Sequence, residues 1–570
     1  MKLSVIALDY DGTIARDGAL DPGVRRAIAD VRAAGIVVII VTGRILDELR
    51  DLVGDLRFVD AIVAENGAVL TFPESGRSML HAPPVRSEMV EALRARGVPM
   101  TAGESVIEAD ARTAPVLIDV IRTLELPLVL VFNRGRVMVL PSGVNKAAGL
   151  REALRTLRLS PHNTIAIGDA ENDHDLLELC ELGVAVSWGS APLAARADDV
   201  LVGKGPEDVA GYIRQIATTP RLPPERVGRR SVALGQDAAG RPVSLGVRGR
   251  NLLIVGDPKS GKSWVAGLIC EQLILRRYST CVIDPEGDYS GLEALPGVVV
   301  LGGSADGPSP RELRVALRYP DVNVVLDLSR MRHAKKWSYI HALLPGLADL
   351  RRRTGIPHRI LIDEAHYLLQ DPGLPRLLDL DLSGYTLVTY QPSRLPLEVL
   401  AASEAIVATR LTDTRELAAL AASCGCAGET FDTLELGQAI LMPTNGGSGE
   451  SVRIRLAPRL TSHVRHREKY LDVPVARDRA FVFTTDGGAT YGRASSLREF
   501  TAAVASRPAA QLDGFLRRGD FSRWIADVFS DNALAAELRA IEDQYRLGRV
   551  SDVADSIVHT IEARYEVTEG

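Results

Sequence analysis

Short apolar runs followed by longer amphipathic stretches recur along most of the chain. LSVIALDY, GIVVIIVTG and NTIAIGD alternate with helical patterns such as PGVRRAIADVRAAG and LREALRTL. Strands separated in this way predict βαβ units and a parallel sheet. Pro206, Pro220, Pro223 and Pro224 then punctuate a stretch that loses its period, and a linker is expected at 219–230. Alternation resumes with NLLIVG, STCVIDPEGDY, VNVVLDLS, RILIDEAHYLL, GYTLVTYQPSR and AIVATRL. Beyond Val473 the pattern changes again. FVFTTDGG reads as a strand, and LREFTAAVAS, DGFLRRGDFSRWIADVF and NALAAELRAIEDQYRLG read as helices. The expectation is three domains: 1–218, 231–460 and an α-rich module at 470–570.

Size agrees with that division, because 570 residues exceed what one core usually supports. A net charge of −6 excludes a wholesale basic nucleic-acid surface, although local patches stay possible. No apolar run approaches the roughly 18–20 residues that span a bilayer. Asp9 interrupts the first run before a signal-peptide core could finish. Cys180, Cys270, Cys281, Cys424 and Cys426 are scattered apart from one CGC pair, which fits a reducing compartment. A cytoplasmic protein without a membrane partner is expected. CGC has no Cys or His cluster near it in sequence, so metal binding there is not expected.

The first chemistry lies in VIALDYDGTIARDG. Asp9 and Asp11 follow an apolar strand, at the edge where parallel sheets place their ligand sites. Two carboxylates so close repel unless a cation joins them, and oxygen ligands suit Mg²⁺. VIIVTGR ends a strand at Thr42, SGVNKAAGL opens a helix with Lys146, and TIAIGDAENDHD ends a strand with Asp169, Asn172 and Asp173. DYDGT, TGR, the lysine and GDxxND together resemble the four motifs of the haloacid dehalogenase superfamily. ENGA at 65–68 resembles its subclass with a type-two cap, here expected near 83–140.

The resemblance, which covers roughly residues 1–215, implies roles. Asp9 would be the nucleophile that forms an aspartyl-phosphate, and Asp11 the acid and base. Mg²⁺ would be held by the Asp9 side chain, the Asp11 main-chain carbonyl and Asp169, with Asp173 in support. Thr42 and Lys146 would hold phosphoryl oxygens. The substrate would be a small phosphate ester.

The second chemistry lies in NLLIVGDPKSGKSW. Gly256, Asp257, Pro258, Lys259, Ser260, Gly261, Lys262 and Ser263 fit the phosphate-cradling pattern GxxxxGK[ST], between a strand and a helix start. Lys262 would reach the ATP phosphates and Ser263 would hold Mg²⁺. In RILIDEAHYLL, Asp363 suits the outer shell of that metal and Glu364 can polarise water. Gln391 is placed to sense the γ-phosphate, and Arg394 and Arg410 are candidate arginine fingers. With SVALGQDAAGRPVSL, VIDPEGDY, LIDEAH, TYQPSR and LELGQAILM, residues 231–460 resemble the HerA/FtsK superfamily of P-loop ATPases.

That resemblance implies a RecA-like α/β domain, homo-oligomers that are often hexameric rings, and DNA translocation in many members. One departure stands out: only SVALGQDAAGRPVSL occupies the place of the β-barrel that precedes the ATPase in HerA. Arg330, Arg332, Lys335, Lys336 and Arg351–Arg353 could line a channel or be solvated helix faces. SHVRHREKYLD at 462–472 could bind an anion or be a surface linker. Phe521, Trp524, Ile525 and Phe529 share a helical spacing suited to a core. Three readings stand: a phosphatase with an ATPase that controls or assembles it, a nucleic-acid motor carrying a phosphatase, and a nucleotide-sensing regulator with little turnover.

Overall fold

Strands with no polar alternation need cover on both faces, and residues 1–218 are built from them. The computed structural model describes residues 2–133, 135–218, 230–247, 250–304, 306–369, 378–424, 431–443, 451–461, 475, 477, 479–485, 489–529, 532–550 and 552–565. The 219–229 linker, CGC beyond Cys424 and the basic stretch 462–472 therefore lie outside the described residues. Among the described residues the main sheet opens with β1 (Val5–Asp9), β2 (Val37–Val41), β3 (Ala61–Ala64), β4 (Val69–Phe72) and β5 (Arg77–Leu80). After an insertion come β10 (Thr164–Gly168), β11 (Leu182–Val186) and β12 (Asp199–Leu201). They form one sheet in the order β12-β11-β10-β1-β2-β3-β4-β5, parallel from β12 to β3. Helix α1 (Pro22–Ala33) starts where the Asp21 carboxylate accepts from the Val24 amide, and its apolar face is buried.

The insertion is the cap. Its strands β6 (Met100–Ala102), β7 (Ile107–Asp110), β8 (Leu128–Asn133) and β9 (Arg136–Pro141) pair antiparallel in the order β8-β9-β7-β6. Met89, Leu93, Leu117 and Val120 close an apolar core of their own beneath it. The chain returns through α2 (Lys146–Leu157), capped by Asn145, whose side-chain oxygen accepts from the Ala148 amide at 2.7 Å. Such a cap contributes about 1 kcal/mol and fixes where the helix begins. It sets Lys146 as the first helical residue.

Residues 231–460 contribute β13 (Ser231–Gln236), β14 (Pro242–Gly246), β15 (Leu252–Val255), β16 (Thr280–Asp284), β17 (Val298–Gly302) and β18 (Asn323–Asp327). To these they add β19 (Arg359–Ile362), β20 (Tyr385–Thr389), β21 (Ala405–Ala408), β22 (Gln438–Pro443) and β23 (Val452–Leu456). The sheet order is β14-β13-β23-β22-β21-β15-β20-β19-β16-β18-β17. SVALGQDAAGRPVSL folds as the β13–β14 hairpin, and β13 pairs with β23 at the sheet's edge. Helix α3 (Lys262–Leu275) has ten buried residues among fourteen.

Residues 1–285 and 289–463 make one compact unit, and 286–288 with 464–570 a second. The second unit carries the hairpin β24 (Phe481–Thr484) and β25 (Thr490–Ala494) with helices after it. Phe521, Trp524, Ile525 and Phe529 all lie in its core, beside Phe481 and Phe500. No described helix is long and apolar enough to cross a membrane.

Candidate active sites

Register assembles the first site. β1 pairs with β2 so that Asp9 faces Val41, and with β10 so that Leu8 faces Ile167. Asp9, Thr42 and Asp169 thus emerge at one sheet edge, all buried. Lys146 comes from α2 and donates to Asp9 Oδ1 at 2.5 Å and Asp173 Oδ1 at 2.7 Å. The other Asp173 oxygen accepts from the Asp169 and Ala170 amides, and Asp9 Oδ2 accepts from Thr13. Oxygens of Asp9, Asp169 and Asp173 lie within 4.8 Å of one another.

Three buried carboxylates against one ammonium leave an excess of negative charge. Burial and then Asp173 push the Asp9 carboxyl well above its ordinary value, with Lys146 opposing. Burial works against charge on Lys146 too, yet Asp173 and Asp9 hold its ammonium above the usual lysine value. An all-oxygen donor set with surplus charge fits a hard divalent cation.

Asp11 stands apart from this cluster. Arg44 grips it with Nε to Oδ2 at 2.7 Å and Nη2 to Oδ1 at 2.6 Å. Arg44, Asp11, Asp169, Trp188 and Lys204 line a cleft of about 690 Å³, and Trp188 donates to the Gly12 carbonyl at 2.8 Å. Glu65 reaches from the sheet to the cap and accepts from the Glu104 and Ser105 amides at 3.0 and 2.8 Å. Thr42 Oγ1 accepts from the Arg44 amide.

The second site rests on a loop that only glycine tolerates at its start. A Cβ on Gly256 would stand 1.9 Å from Thr409 Oγ1, and Gly261 has φ of 105°. Within the loop, Lys262 donates to the Asp257 carbonyl at 2.8 Å. Thr412 donates to Asp257 Oδ2 through its hydroxyl at 2.8 Å and to Oδ1 through its amide at 3.2 Å. One strand, β20, separates β15 from β19, whose end presents Asp363 and Glu364, both buried. Glu364 adopts φ of 48°, unfavourable for a non-glycine residue and frequent at functional sites.

His366 Nδ1 lies 3.6 Å from Glu364 Oε2 and 3.1 Å from Thr389 Oγ1, which itself accepts from the Gln391 amide. Gln391 Oε1 is buried with no hydrogen-bond partner among the described residues. Arg394 is exposed, and Arg410 is half exposed with Nε 4.0 Å from Asp257. Of the basic residues between these motifs, Lys336 and Arg351 are buried and donate to the carbonyls of Pro285, Pro357 and Ser383.

Residues 6–95 and 123–209 match the haloacid dehalogenase-like hydrolase family, and the unmatched gap falls in the cap. A phosphoglycolate phosphatase of Natronomonas pharaonis is 32% identical over 206 residues, 34% of this chain and 89% of that protein. The chain belongs to the haloacid dehalogenase-like hydrolases. A phosphoglycolate phosphatase of Methanopyrus kandleri is 29% identical over 37% of this chain and 97% of that protein. A 5-amino-6-(5-phospho-D-ribitylamino)uracil phosphatase of Bacillus subtilis is 26% identical over 38% and 96%. Residues 236–345 match the central domain of the helicase HerA. This haloacid dehalogenase-like hydrolase is thus fused to a HerA-type domain.

The structure brings together the strand-end residues that the sequence named for each candidate site. Reading along the chain missed Arg44 as the partner of Asp11, although TGR contains it, and Glu65 as the cap contact, although ENGA contains it. His366 lies within LIDEAH but carries no spacing signal of its own. Its neighbours Thr389 and Tyr390 arrive from another strand.

Proposed function

We propose that the chain is a Mg²⁺-dependent phosphomonoester phosphatase fused to an ATP-binding and ATP-hydrolysing domain that regulates or assembles it. The observation that carries this reading is Lys146 bridging Asp9 and Asp173 inside the buried Asp9, Asp169 and Asp173 cluster. Asp9 attacks the phosphorus and the ester P–O bond breaks, with the alcohol leaving on a proton from Asp11. Water, deprotonated by Asp11, then attacks the aspartyl-phosphate, so that orthophosphate leaves and Asp9 is restored. Both Asp11 oxygens are held by Arg44, so proton transfer requires that pair to open. Lys146 and Thr42 hold phosphoryl oxygens. The Asp9 side chain, the Asp11 main-chain carbonyl and Asp169 would hold Mg²⁺, with Asp173 in support, and the ion would supply charge neutralisation on the phosphoryl group.

The names of the relatives support a small metabolic phosphate ester as substrate. In the second site Lys262 and Ser263 hold the ATP phosphates and a metal, Asp363 supports that metal, Glu364 polarises water, and Gln391 reads the γ-phosphate. A homo-oligomer is part of this proposal.

A second reading, a DNA translocase carrying a phosphatase, draws on the match to the HerA central domain. Phosphate release from phosphoglycolate and p-nitrophenyl phosphate with Mg²⁺, and ATP hydrolysis with and without duplex DNA, test both. Asp9→Asn abolishes the first activity and spares the second, and Lys262→Ala does the reverse. Loss of both in either variant would refute two separate sites. ATPase stimulation by DNA that fades with salt would favour the second reading.

A further inference from the structure

Two elements of the ATPase domain that meet the nucleotide end on adjacent residues of the phosphatase domain. Those residues, His162 and Asn163, stand immediately before β10, the strand that delivers Asp169. All of the groups involved belong to one compact unit.

The first element is α3, which begins at Lys262 and is capped at its far end by Arg276. The Arg276 carbonyl accepts from His162 Nε2 at 2.9 Å. His162 Nδ1 faces Glu181 Oε2 at 2.8 Å, and the same oxygen accepts from the Tyr278 hydroxyl at 2.8 Å. The His162 and Tyr278 rings stack with centroids 3.6 Å apart. Tyr278 is the third residue after the helix ends.

The second element is β19, which ends at Ile362 just before Asp363 and Glu364 and begins at Arg359, the residue after His358. His358 Nδ1 accepts from the Ser279 amide at 2.8 Å, so Nε2 carries the proton and donates to Asn163 Oδ1 at 3.0 Å. The Asn163 amide group donates to the Lys2 carbonyl at 2.8 Å, two residues ahead of the Ser4 whose amide returns to the Asn163 carbonyl. His162, Asn163, Glu181, Tyr278 and His358 are each at most 3% exposed.

We propose that ligand occupancy of the P-loop and of the Asp9 site is energetically coupled through His162 and Asn163. This rests on the two-site reading above and adds its regulation. Lys262 donates to the Asp257 carbonyl, and binding a nucleotide exchanges that bond for bonds to phosphate oxygens. The exchange occurs at the first residue of α3, a helix buried along most of its length, which therefore shifts as a rod rather than bending. At its other end the displacement reaches a directional hydrogen bond on His162, not an apolar surface that could slide. β10 carries the shift to Asp169 and, through the Asp169 amide on Asp173, to the carboxylate that Lys146 shares with Asp9.

The full chain tests this by titration with AMP-PNP, a non-hydrolysable ATP analogue, with and without orthovanadate at the Asp9 site. Coupling appears as a change in the AMP-PNP dissociation constant of about fivefold or more, and vanadate affinity changes by the same factor when AMP-PNP is added. His162→Phe, which keeps the stack, and His358→Gln each retain both affinities within about twofold while the coupling factor falls toward one. A wild-type chain that binds both ligands with a factor of one overturns the coupling and leaves the two-site reading standing. A chain that fails to bind one of them overturns both. If one variant does not fold, the other alone reads the route, and a coupling factor that it leaves at the wild-type value overturns it.

Discussion

Arg44 closes both oxygens of Asp11 in a two-pronged ion pair, while Asp9, two residues earlier, is held by Lys146. The alternation along the chain thus hands neighbouring carboxylates to different cations. On the proposed mechanism Arg44 positions Asp11 until the pair opens for proton transfer. Arg44→Ala lowers phosphatase kcat by about 10- to 100-fold with a smaller change in KM. Arg44→Lys, which loses the forked geometry, recovers only part. Steady-state kinetics on p-nitrophenyl phosphate read this out, and an unchanged kcat in Arg44→Ala would remove Arg44 from the reaction.

Lys146 is also structural. Lys146→Met leaves Asp9, Asp169 and Asp173 buried with no ammonium among them. Breaking a buried pair on one side costs about 3–5 kcal/mol. Urea unfolding gives the loss, and millimolar Mg²⁺ raises the midpoint of the variant if the acids bind it in the folded state only.

Glu65 makes the cap contact sensitive to pH. Burial raises its carboxyl, and the Ser105 and Glu104 amides only partly offset that. A native value above the unfolded one means that the folded state binds the proton more tightly. The associated stability is present below the ordinary glutamate value of about 4.3 and is lost as pH rises through the raised native value. Melting temperatures measured from about pH 4 to 7 should decline in part for this reason, and Glu65→Gln should flatten that part. A slope that Glu65→Gln leaves intact would assign it to other groups.

Arg459 and Glu271 form a buried pair at 2.8 Å between α3 and the segment after β23, with Arg459 also donating to Thr461. Arg459→Met costs about 3 kcal/mol, the lower end for a broken buried pair, because Glu271 keeps the Leu460 and Thr461 amides. The double variant Arg459→Met with Glu271→Leu recovers much of the loss. Chemical denaturation of the two variants checks both values.

What could be read from sequence follows a physical rule. Apolar runs that end in Asp9, Thr42, Asp169 or Asp363 name both a strand and a functional edge, because parallel strands expose their chemistry at one end. The Gly256 loop likewise announces itself, since a side chain there would collide with Thr409. Arg44 on Asp11, Glu65 on the Ser105 amide and His358 on Asn163 have sequence separations of 33, 40 and 195. Such pairs depend on how layers stack, and no local period encodes them. SVALGQDAAGRPVSL reads in sequence only as a short segment ahead of the P-loop, and neither its β13–β14 hairpin nor the pairing of β13 with β23 is legible there.

The His162, Asn163 and His358 junction uses the entry ends of three parallel strands, leaving the exit ends of both sheets uncovered by it. Where the strands run parallel, each sheet has a working rim and a blank rim, and it is at blank-rim positions that the two sheets are joined here. On the proposed reading an ester at the Asp9 edge and a nucleotide at the P-loop would each enter at strand ends that this junction leaves open, so the two sites would signal to each other without blocking each other's entrance.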